Sequence, residues 1–379
     1  MTKMQLAKMR AQRIHGPIPA STPTPALVKG GPFSTFGAQL LAIAHAGDHP
    51  DTTDKRLYEV RAPIGGSEQI PADGGFAVQP EFAETIASKV YLQGELISRM
   101  THFTTTKDWA SGLKLPAFDE QSRADGSRFG AVASAWQNES DTLTASKPRY
   151  RVMELTLKKL TALGYTTEEL FTDSAVLEQA LTLAYVNEFT YKFEKAALFG
   201  TGSGMPQGIS NTNALITVSK ESGQAAATVL SQNILNMHAR MWGPSRSRAC
   251  WVINQNIEQN LIPLVYIIGN AGAALPLYHP AESDDEPFAR MLGRPVIPVE
   301  YCPTLGQVGD IAFVDFSQYL FLEKREGIER AVSMHLKFLS DEMTFRWTWR
   351  CDGQPMWHTA VTPANGTATL SPYVTLAVR

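Results

Sequence analysis

The sequence predicts an α+β fold organised around one long helix, and three patterns in the chain lead to this prediction. Residues 174–199 contain neither proline nor glycine, so nothing in them interrupts a helix. Apolar and polar residues alternate at 150–158, strictly so from Met153 to Lys158, and they alternate strictly at 343–351, which is typical of half-buried strands. Residues 226–330 mix helical and strand patterns with turns, which predicts a compact lobe of mixed α and β structure.

The composition is that of a soluble protein and argues against several functions. The 379 residues carry a net charge of −3, so no overall basic excess indicates nucleic-acid binding as the main role. The three cysteines lie far apart without metal-ligand spacing, and we expect them to be reduced. No apolar run reaches the roughly 18 residues of a membrane span, and the N-terminus lacks the apolar region of a secretory signal. We therefore expect no cofactor, no metal and no membrane contact.

The N-terminal residues 1–76 are predicted to form an extended arm. The tip of the arm, residues 1–14, carries four basic side chains and no acid, and residues 16–32 form a tether punctuated by proline and glycine. The tip is too short to form a stable helix alone. A basic tip on a flexible tether is suited to contact nucleic acid or a partner, and a solvated end is the equally open alternative.

Residues 117–149 are predicted to form a long hairpin that projects from the body. They contain many small and polar residues and few large apolar ones, so they cannot pack a core of their own. Trp136 is the exception, since an exposed indole on a projecting loop is suited to contact a partner surface. The next segment, 150–158, is predicted to be a strand with Met153 and Leu155 on its buried face.

The central helix is predicted to begin at an N-cap formed by Asp173 and Ser174 and to end before Gly200. We expect Gly200 to adopt the left-handed conformation that ends a helix at little cost. The apolar stripe of the helix includes Val176, Leu177, Ala180, Leu181, Leu183, Ala184, Val186, Phe189, Phe193 and Ala196. The glycines of the following loop, 200–208, match no nucleotide-binding fingerprint, and we interpret the loop as a tight reversal of the chain.

The C-terminal part is predicted to return as a strand whose apolar face holds Phe345, Trp347 and Trp349. Asp352 and Gly353 are expected to form a turn. After this turn, we expect residues 357–361 to run back as a second strand.

Six short motifs follow one another along residues 33–379. They are Gly74-Gly75-Phe76-Ala77-Val78-Gln79-Pro80, Ala135-Trp136 with Glu139, Glu168-Glu169-Leu170 with Asp173-Ser174, Gly200-Thr201-Gly202 with Pro206, Gly208 and Ile209, Gly293-Arg294-Pro295-Val296, and Gly309-Asp310-Ile311 with Asp315-Phe316-Ser317. Each motif is short, and the indication comes from all six in one order. With the order of arm, hairpin, helix, lobe and returning sheet, the chain resembles the HK97-fold major capsid proteins of tailed phages.

The resemblance implies a role for each segment. The N-terminal arm would be 1–76, the E-loop that lies over a neighbouring subunit 117–149, and the axial domain 226–330. The peripheral domain would take 77–116, 150–225 with its spine helix at 174–199, and the return strands at 331–379. Inter-subunit contacts would come from Arg123, Arg128, Trp136 and Glu139, and the spine helix and its end from Asp173, Leu181, Phe189, Gly200 and Gly202.

The resemblance also implies a function. The protein would be structural and not an enzyme, and it would assemble through pentamers and hexamers of itself into an icosahedral phage head enclosing double-stranded DNA. The implied location is the virion, after assembly in the host cytoplasm. The implied partners are the portal protein, separate scaffolding and decoration proteins, and packaged DNA that is contacted without sequence specificity. Covalent cross-links through the hairpin are not expected, because it has no lysine between Asp119 and Ser146.

Two alternatives stay open from the sequence. An encapsulin-like nanocompartment shell would share the fold. A soluble enzyme would use the glycine-rich loop 200–208 or acids such as Glu168 and Glu169, although the sequence contains no nucleophile elbow, zinc motif or cofactor fingerprint. Particle size separates these classes, since a shell protein forms megadalton particles and an enzyme forms a small oligomer.

Overall fold

The computed structural model describes residues 33, 38, 42, 54–59, 75–77, 94–105, 111–136, 145–167, 174–268, 273–281, 288–333 and 342–379. The α-helices are α1 (Arg56–Glu59), α2 (Ser174–Phe199), α3 (Ser231–Arg240) and α4 (Glu258–Leu261). The strands are β1 (Gly75–Ala77), β2 (Thr101–Thr104), β3 (Gly112–Phe118), β4 (Tyr150–Thr156), β5 (Lys158–Thr167), β6 (Ile216–Val218), β7 (Cys250–Asn254), β8 (Val265–Ile268), β9 (Ala273–Pro276), β10 (Tyr278–His279), β11 (Arg290–Met291), β12 (Arg294–Val299), β13 (Ile311–Val314), β14 (Tyr319–Ser333), β15 (Glu342–Pro355) and β16 (Tyr373–Leu376). These strands form two large sheets and two ribbons. The predicted α+β class is confirmed.

The first sheet is built on the two long strands β14 and β15. Its order is β1-β14-β15-β5, and β2 pairs with β14 in parallel. The helix α2 lies on this sheet, where Tyr185 stacks on Trp347 with ring centroids 3.7 Å apart and Phe193 lies 5.5 Å from Trp349. Phe345, Trp347 and Trp349 are all buried, as the alternation of β15 predicts. Together with α2 these side chains form the main hydrophobic core.

The helix α2 spans 174–199, which confirms its predicted length. Of the predicted stripe, Val186, Phe189 and Phe193 are buried. The stripe is wrong at Leu183, which is 54% exposed, and at Ala184, which is also exposed. Ala184 lies about half a turn away from Val186 at 100° per residue, so it points away from the sheet that the buried face contacts.

For two of the residues predicted for the helix and its start, the structure describes no side chain. Asp173 lies outside the described residues, and of Leu181 the structure describes the backbone only. The N-cap and the burial of Leu181 therefore stay predictions.

The end of α2 lies where it was predicted, but Gly200 has a different role from the predicted one. The residue with the left-handed conformation is Gly202, with φ of +82°. The φ of Gly200 is not positive. Glycine is required at 200 because a Cβ atom there would lie 2.2 Å from the carbonyl oxygen of Pro206 and 2.5 Å from that of Ala196. The Gly200 carbonyl accepts the N–H of Gly208 at 2.8 Å, so the loop closes on itself as a tight reversal.

The second sheet forms the mixed lobe that follows α2. Its order is β10-β11-β12-β7-β13-β16-β6, with parallel pairing between β12 and β7 and between β16 and β6. Trp251 and Phe313 stack in its core with centroids 4.1 Å apart. The helix α3 covers this core with Ile234 and Met237, which are fully buried. The lobe therefore has a hydrophobic core separate from that of the first sheet.

The sheets cross the segment limits that the sequence predicts. The strands β6 and β16 complete the second sheet from outside 226–330, and the limit at 330 falls within β14, which belongs to the first sheet. The pairing of β16 with β13 and β6 brings the C-terminal part of the chain into the lobe. The division into domains stays a prediction, with its limits better placed at strand ends.

The predicted turn at Asp352 and Gly353 is wrong. Both residues lie inside β15 and pair with β14. The Asp352 carboxylate does not cap a turn, because it accepts the backbone N–H of Thr156 at 2.8 Å and the Nζ of Lys158 at 3.0 Å. Residues 357–361, all of which the structure describes, are not a strand.

Candidate assembly surface

The hairpin predicted at 117–149 is formed by the antiparallel strands β3 and β4 and the chain between them. On its inner face, Met153 and Leu155 are buried against Leu320 and Leu322 of β14. The Arg151 guanidinium donates a hydrogen bond to the carbonyl oxygen of Met356, just after β15. The base of the hairpin is thereby fixed to the first sheet.

The outer face of the hairpin is apolar and exposed. Phe118 and Tyr150 pair across the strands with ring centroids 5.3 Å apart, and Phe129 from the loop lies 5.8 Å from Phe118. The exposed fractions are 47% for Phe118, 58% for Phe129, 67% for Tyr150 and 68% for Val152. We call these four residues the hairpin patch. Grouped apolar side chains of this size on a protein surface mark sites of interaction.

A strained turn holds Phe129 in the hairpin patch. Phe129, Gly130 and Ala131 have φ values of +49°, +73° and +83°. This region is unfavourable for residues that carry a Cβ atom. Two hydrogen bonds between the backbones of Arg128 and Val132, of 2.8 and 2.7 Å, close the turn. Strain of this kind persists only where surrounding bonds enforce it, and it occurs most often at functional sites.

The first part of the hairpin loop does not project freely, in contrast to the prediction. The Arg123 N–H donates to the Thr362 carbonyl oxygen at 2.9 Å, and the Thr362 N–H donates to that of Gln121 at 3.1 Å. The Arg123 guanidinium donates to the Glu120 carboxylate at 2.6 Å and lies over the ring of Trp242. The partners Thr362 and Trp242 are distant in the chain, so no local pattern predicts these contacts.

The four predicted contact residues differ in their surroundings. Trp136 and Arg128 are exposed, with the Trp136 side chain fully accessible at 104%. Arg123 is engaged within its own chain through Glu120. Glu139 lies outside the described residues. Contact of these residues with a neighbouring subunit stays a prediction.

The sequence of β4 indicates the hairpin patch, because this strand has apolar residues at both even and odd positions. In β4, Tyr150 and Val152 are apolar and exposed, whereas Met153 and Leu155 are apolar and buried. An antiparallel strand with one solvated face normally has polar residues on that face. The apolar residues on both faces of β4 are therefore the feature of the sequence that indicates this patch.

The glycine-rich loop 200–208 borders a small cavity of about 320 Å³. Its wall is largely apolar, with Phe193, Phe199 and Met205, and four lysines also line it, Lys158, Lys159, Lys192 and Lys195. The Cys351 thiol also lines this cavity, and its burial raises its pKa well above the usual value. A thiol with a raised pKa is a poor nucleophile, because the thiolate is the reactive form.

The described residues also bear on metal binding and on membrane insertion. Within the described ranges, no cluster of three or more His, Cys, Asp or Glu side chains has an arrangement that could hold a metal ion. Among the helices of these same ranges, none has the length and hydrophobicity needed to cross a membrane.

The geometry defines a class of protein. A helix-covered sheet supports a hairpin whose outer face, among the described residues, is apolar and exposed. The chain belongs to the phage capsid family, whose model matches residues 74–366. It is a structural protein of a phage capsid, located in the virion, and the alternative of a soluble enzyme is set aside.

Solved capsid structures agree with this assignment at the level of the fold. The chain is similar to the capsid of an empty GTA particle, with a TM-score of 0.53 and 16% identity over 88% of this chain and 98% of that one. It is equally similar to the capsid of a native GTA particle, with a TM-score of 0.53 and 17% identity over 88% and 97% of the two chains. The predicted HK97-like capsid fold is confirmed. Comparison with curated proteins gave no match.

Proposed function

We propose that this capsid protein assembles through pentamers and hexamers of itself into the icosahedral head of a phage, which encloses double-stranded DNA. Its partners would be the portal protein, separate scaffolding and decoration proteins, and DNA contacted without sequence specificity. Assembly would take place in the host cytoplasm. An encapsulin-like shell shares the fold, and the match to the phage capsid family favours the phage head.

The hairpin patch is the single observation that carries this proposal. Phe118, Phe129, Tyr150 and Val152 present an apolar surface that the described part of the chain leaves uncovered. Full burial of one large apolar side chain stabilises by about 1.5–3 kcal/mol. Even partial burial of four such side chains on a neighbour therefore favours association by several kcal/mol before the entropy of association is subtracted.

The shape of the contact also favours closed rings. A hairpin that leaves one subunit and lies on a different surface of the next makes a head-to-tail interface. Such interfaces repeat around an axis and close into rings when the rotation permits. Under this proposal the segment 117–149, between the strands β3 and β4, is the E-loop, α2 is the spine helix, and the second sheet belongs to the axial domain that meets its copies at the symmetry axes.

Trp136 extends this contact beyond the hairpin patch. Its indole is fully exposed, and it follows the strained turn by only a few residues. Tryptophan is among the residues that most often dominate the energy of an interface, and its truncation costs about 2 kcal/mol or more at such sites. We infer that Trp136 is an anchor on the neighbouring subunit.

Substitutions in the hairpin test the proposal. Trp136→Ala and Val152→Ser remove exposed apolar groups that contribute little to the fold of a single chain. We expect soluble subunits with unchanged thermal unfolding temperatures, which form fewer shells or shells that dissociate at lower temperature. Electron microscopy and calorimetry of the assembled material measure both effects.

Matched controls retain the size and apolar character of these side chains. Trp136→Phe and Val152→Ile should form shells of nearly wild-type stability. If shells of Trp136→Ala and Val152→Ser melt at the wild-type temperature, the hairpin does not dock through these residues and the proposal is wrong.

A further inference from the structure

A cleft where the two sheets meet carries an excess of positive charge. Three arginines line it, Arg99, Arg248 and Arg294, together with a single acid, Asp315. The remaining wall consists of Ser247, Ala249, Pro295 and Ser317, and the cleft has a volume of about 320 Å³. Its formal charge is therefore positive even after the acid is counted.

The three arginines come from separate parts of the chain. Arg99 ends a short 3-10 turn before β2, Arg248 precedes β7, and Arg294 begins β12. The strands β12 and β13 flank β7 on either side, which brings Arg294 and the residue after β13, Asp315, to the same end of the sheet as Arg248. No single stretch of sequence shows a basic motif here.

The carboxylate in the cleft already accepts hydrogen bonds from its own neighbours. The carboxylate of Asp315 is fully buried and accepts the N–H and the hydroxyl of Ser317 at 3.1 and 2.7 Å. It also accepts the Arg248 guanidinium at 3.3 Å, while the Nε of Arg248 donates to the Ser317 hydroxyl at 2.9 Å. Asp315 thus compensates Arg248 and leaves the other two arginines without a carboxylate in the cleft.

The other two guanidinium groups have N–H donors that no carboxylate in the cleft accepts. Arg294 donates to the carbonyl oxygen of Ser247, which is a neutral acceptor. The Nε of Arg99 is buried and has no hydrogen-bond partner among the described residues. A buried donor without an acceptor costs about 1–3 kcal/mol, and more when the group is charged. The cleft is therefore short of an anionic acceptor.

A histidine close by responds to the same charge. The pKa of His238 is lowered, first by burial and then by the positive charges of Arg246 and Arg294. The positive charge of Arg294 thus also acts on a titratable group that does not line the cleft.

We propose that this cleft binds one phosphate group. The planar fork of a guanidinium group matches the oxygens of a phosphate in a bidentate manner, and such charge-assisted hydrogen bonds are stronger than neutral ones. Arg99 and Arg294 would donate to the phosphate, and Arg248 would add its charge while it stays paired with Asp315. The phosphate can be a free anion or part of a nucleic-acid backbone, because the contacting chemistry is the same.

Calorimetric titration of the purified protein with sodium phosphate tests the proposal. At low ionic strength, with matched additions of sodium chloride as the blank, we expect one site for each subunit. Arg99→Gln and Arg294→Gln should each weaken binding by about tenfold or more, since each removes charged hydrogen bonds. Arg350→Gln removes an exposed arginine outside the cleft and should leave the affinity unchanged.

A short DNA duplex distinguishes the two sources of phosphate. Competition between duplex and phosphate in the wild type, lost in Arg294→Gln, would assign the site to a nucleic-acid backbone. Phosphate binding that the duplex leaves unchanged would assign it to a free anion. Arg294→Lys keeps the charge without the fork and should bind with intermediate affinity, which provides a folded comparison if Arg99→Gln is unstable. Absence of wild-type binding, or equal binding by all the variants, would overturn the proposal.

Discussion

At the scale of single residues, Glu194 is a buried acid that joins three parts of the molecule. From α2 its carboxylate accepts the N–H groups of Leu96 and Ile97 at 2.8 and 3.2 Å, and the hydroxyl of Tyr301 at 3.0 Å. The helix is thereby linked to the segment before β2 and to the lobe. Burial raises the pKa of Glu194 above its usual value, although these hydrogen bonds act in the opposite direction.

Glu194→Gln tests the consequence of this raised pKa. The folded state holds the proton more tightly than the unfolded state, whose pKa is near 4.5. The contribution of proton binding to stability is therefore fully present below about pH 4.5 and is lost as the pH rises through the higher folded pKa. The difference in free energy of unfolding, wild type minus variant, should fall over this interval and be constant above it.

Chemical denaturation of both proteins at a series of pH values measures this difference. Glu188→Gln removes a carboxylate from the exposed side of the same helix and serves as the control. A difference for Glu194→Gln that stays constant or increases with pH would contradict the account of Glu194.

The burial of Glu194 is a feature that the helical pattern of the sequence does not predict. Its position in the sequence resembles that of the other charged residues along α2, such as Glu188 and Lys192, which are exposed and pair at 3.5 Å. The burial of Glu194 depends on Leu96 and Tyr301, which reach it from distant parts of the chain. Helical periodicity alone does not include such partners.

At the scale of elements, the end of α2 depends on close approach of backbone to backbone. Gly200→Ala would place a methyl group within 2.5 Å of two carbonyl oxygens, those of Pro206 and Ala196. Neither oxygen can move without disrupting the helix or the loop that closes on it. We expect a loss of about 2–3 kcal/mol in the free energy of unfolding, as for overpacking of a well-packed site.

Gly243→Ala is the matched control for this prediction. A Cβ atom at Gly243 would meet open space, and its φ is compatible with any residue. We expect a change within about 0.5 kcal/mol. If Gly200→Ala behaves like Gly243→Ala in denaturant titrations, the close-approach explanation is wrong.

The elements differ in how far the sequence determines them. The length of α2 and the aromatic face of β15 follow from local patterns, and the structure confirms both. The continuation of β15 through Asp352 and Gly353 does not follow from local patterns, because a partner strand and the Lys158 ammonium stabilise it. The folding back of the hairpin loop onto Thr362 likewise depends on a partner far along the chain.

The candidate surfaces also differ in how far the sequence alone predicts them. Trp136 is recognisable from sequence because it is a large apolar residue in a polar stretch. The hairpin patch needs the register of β3 and β4, which places Phe118 opposite Tyr150. The arginine cleft needs the packing of both sheets, since its residues have no common sequence motif.

At the scale of the whole molecule, the chain is a subunit with two internal cores and an uncovered hairpin. The cores under α2 and within the lobe are filled by buried aromatic and aliphatic side chains. The hairpin contributes a third, small cluster on its inner face and leaves its outer face to solvent. Within the described residues, a single copy thus has filled cores and one exposed apolar face, which is the face proposed to contact other copies.

Light scattering of the purified protein as it leaves a sizing column is the sharpest test of self-assembly into a shell, because it gives particle mass without reference to shape. For a subunit of 41.6 kDa that covers its hairpin with other copies, we expect megadalton particles. Electron micrographs of that fraction should show closed shells of uniform diameter. A folded protein that elutes only as a monomer or a small oligomer, at concentrations and salt conditions that span those of a cell, would contradict the claim.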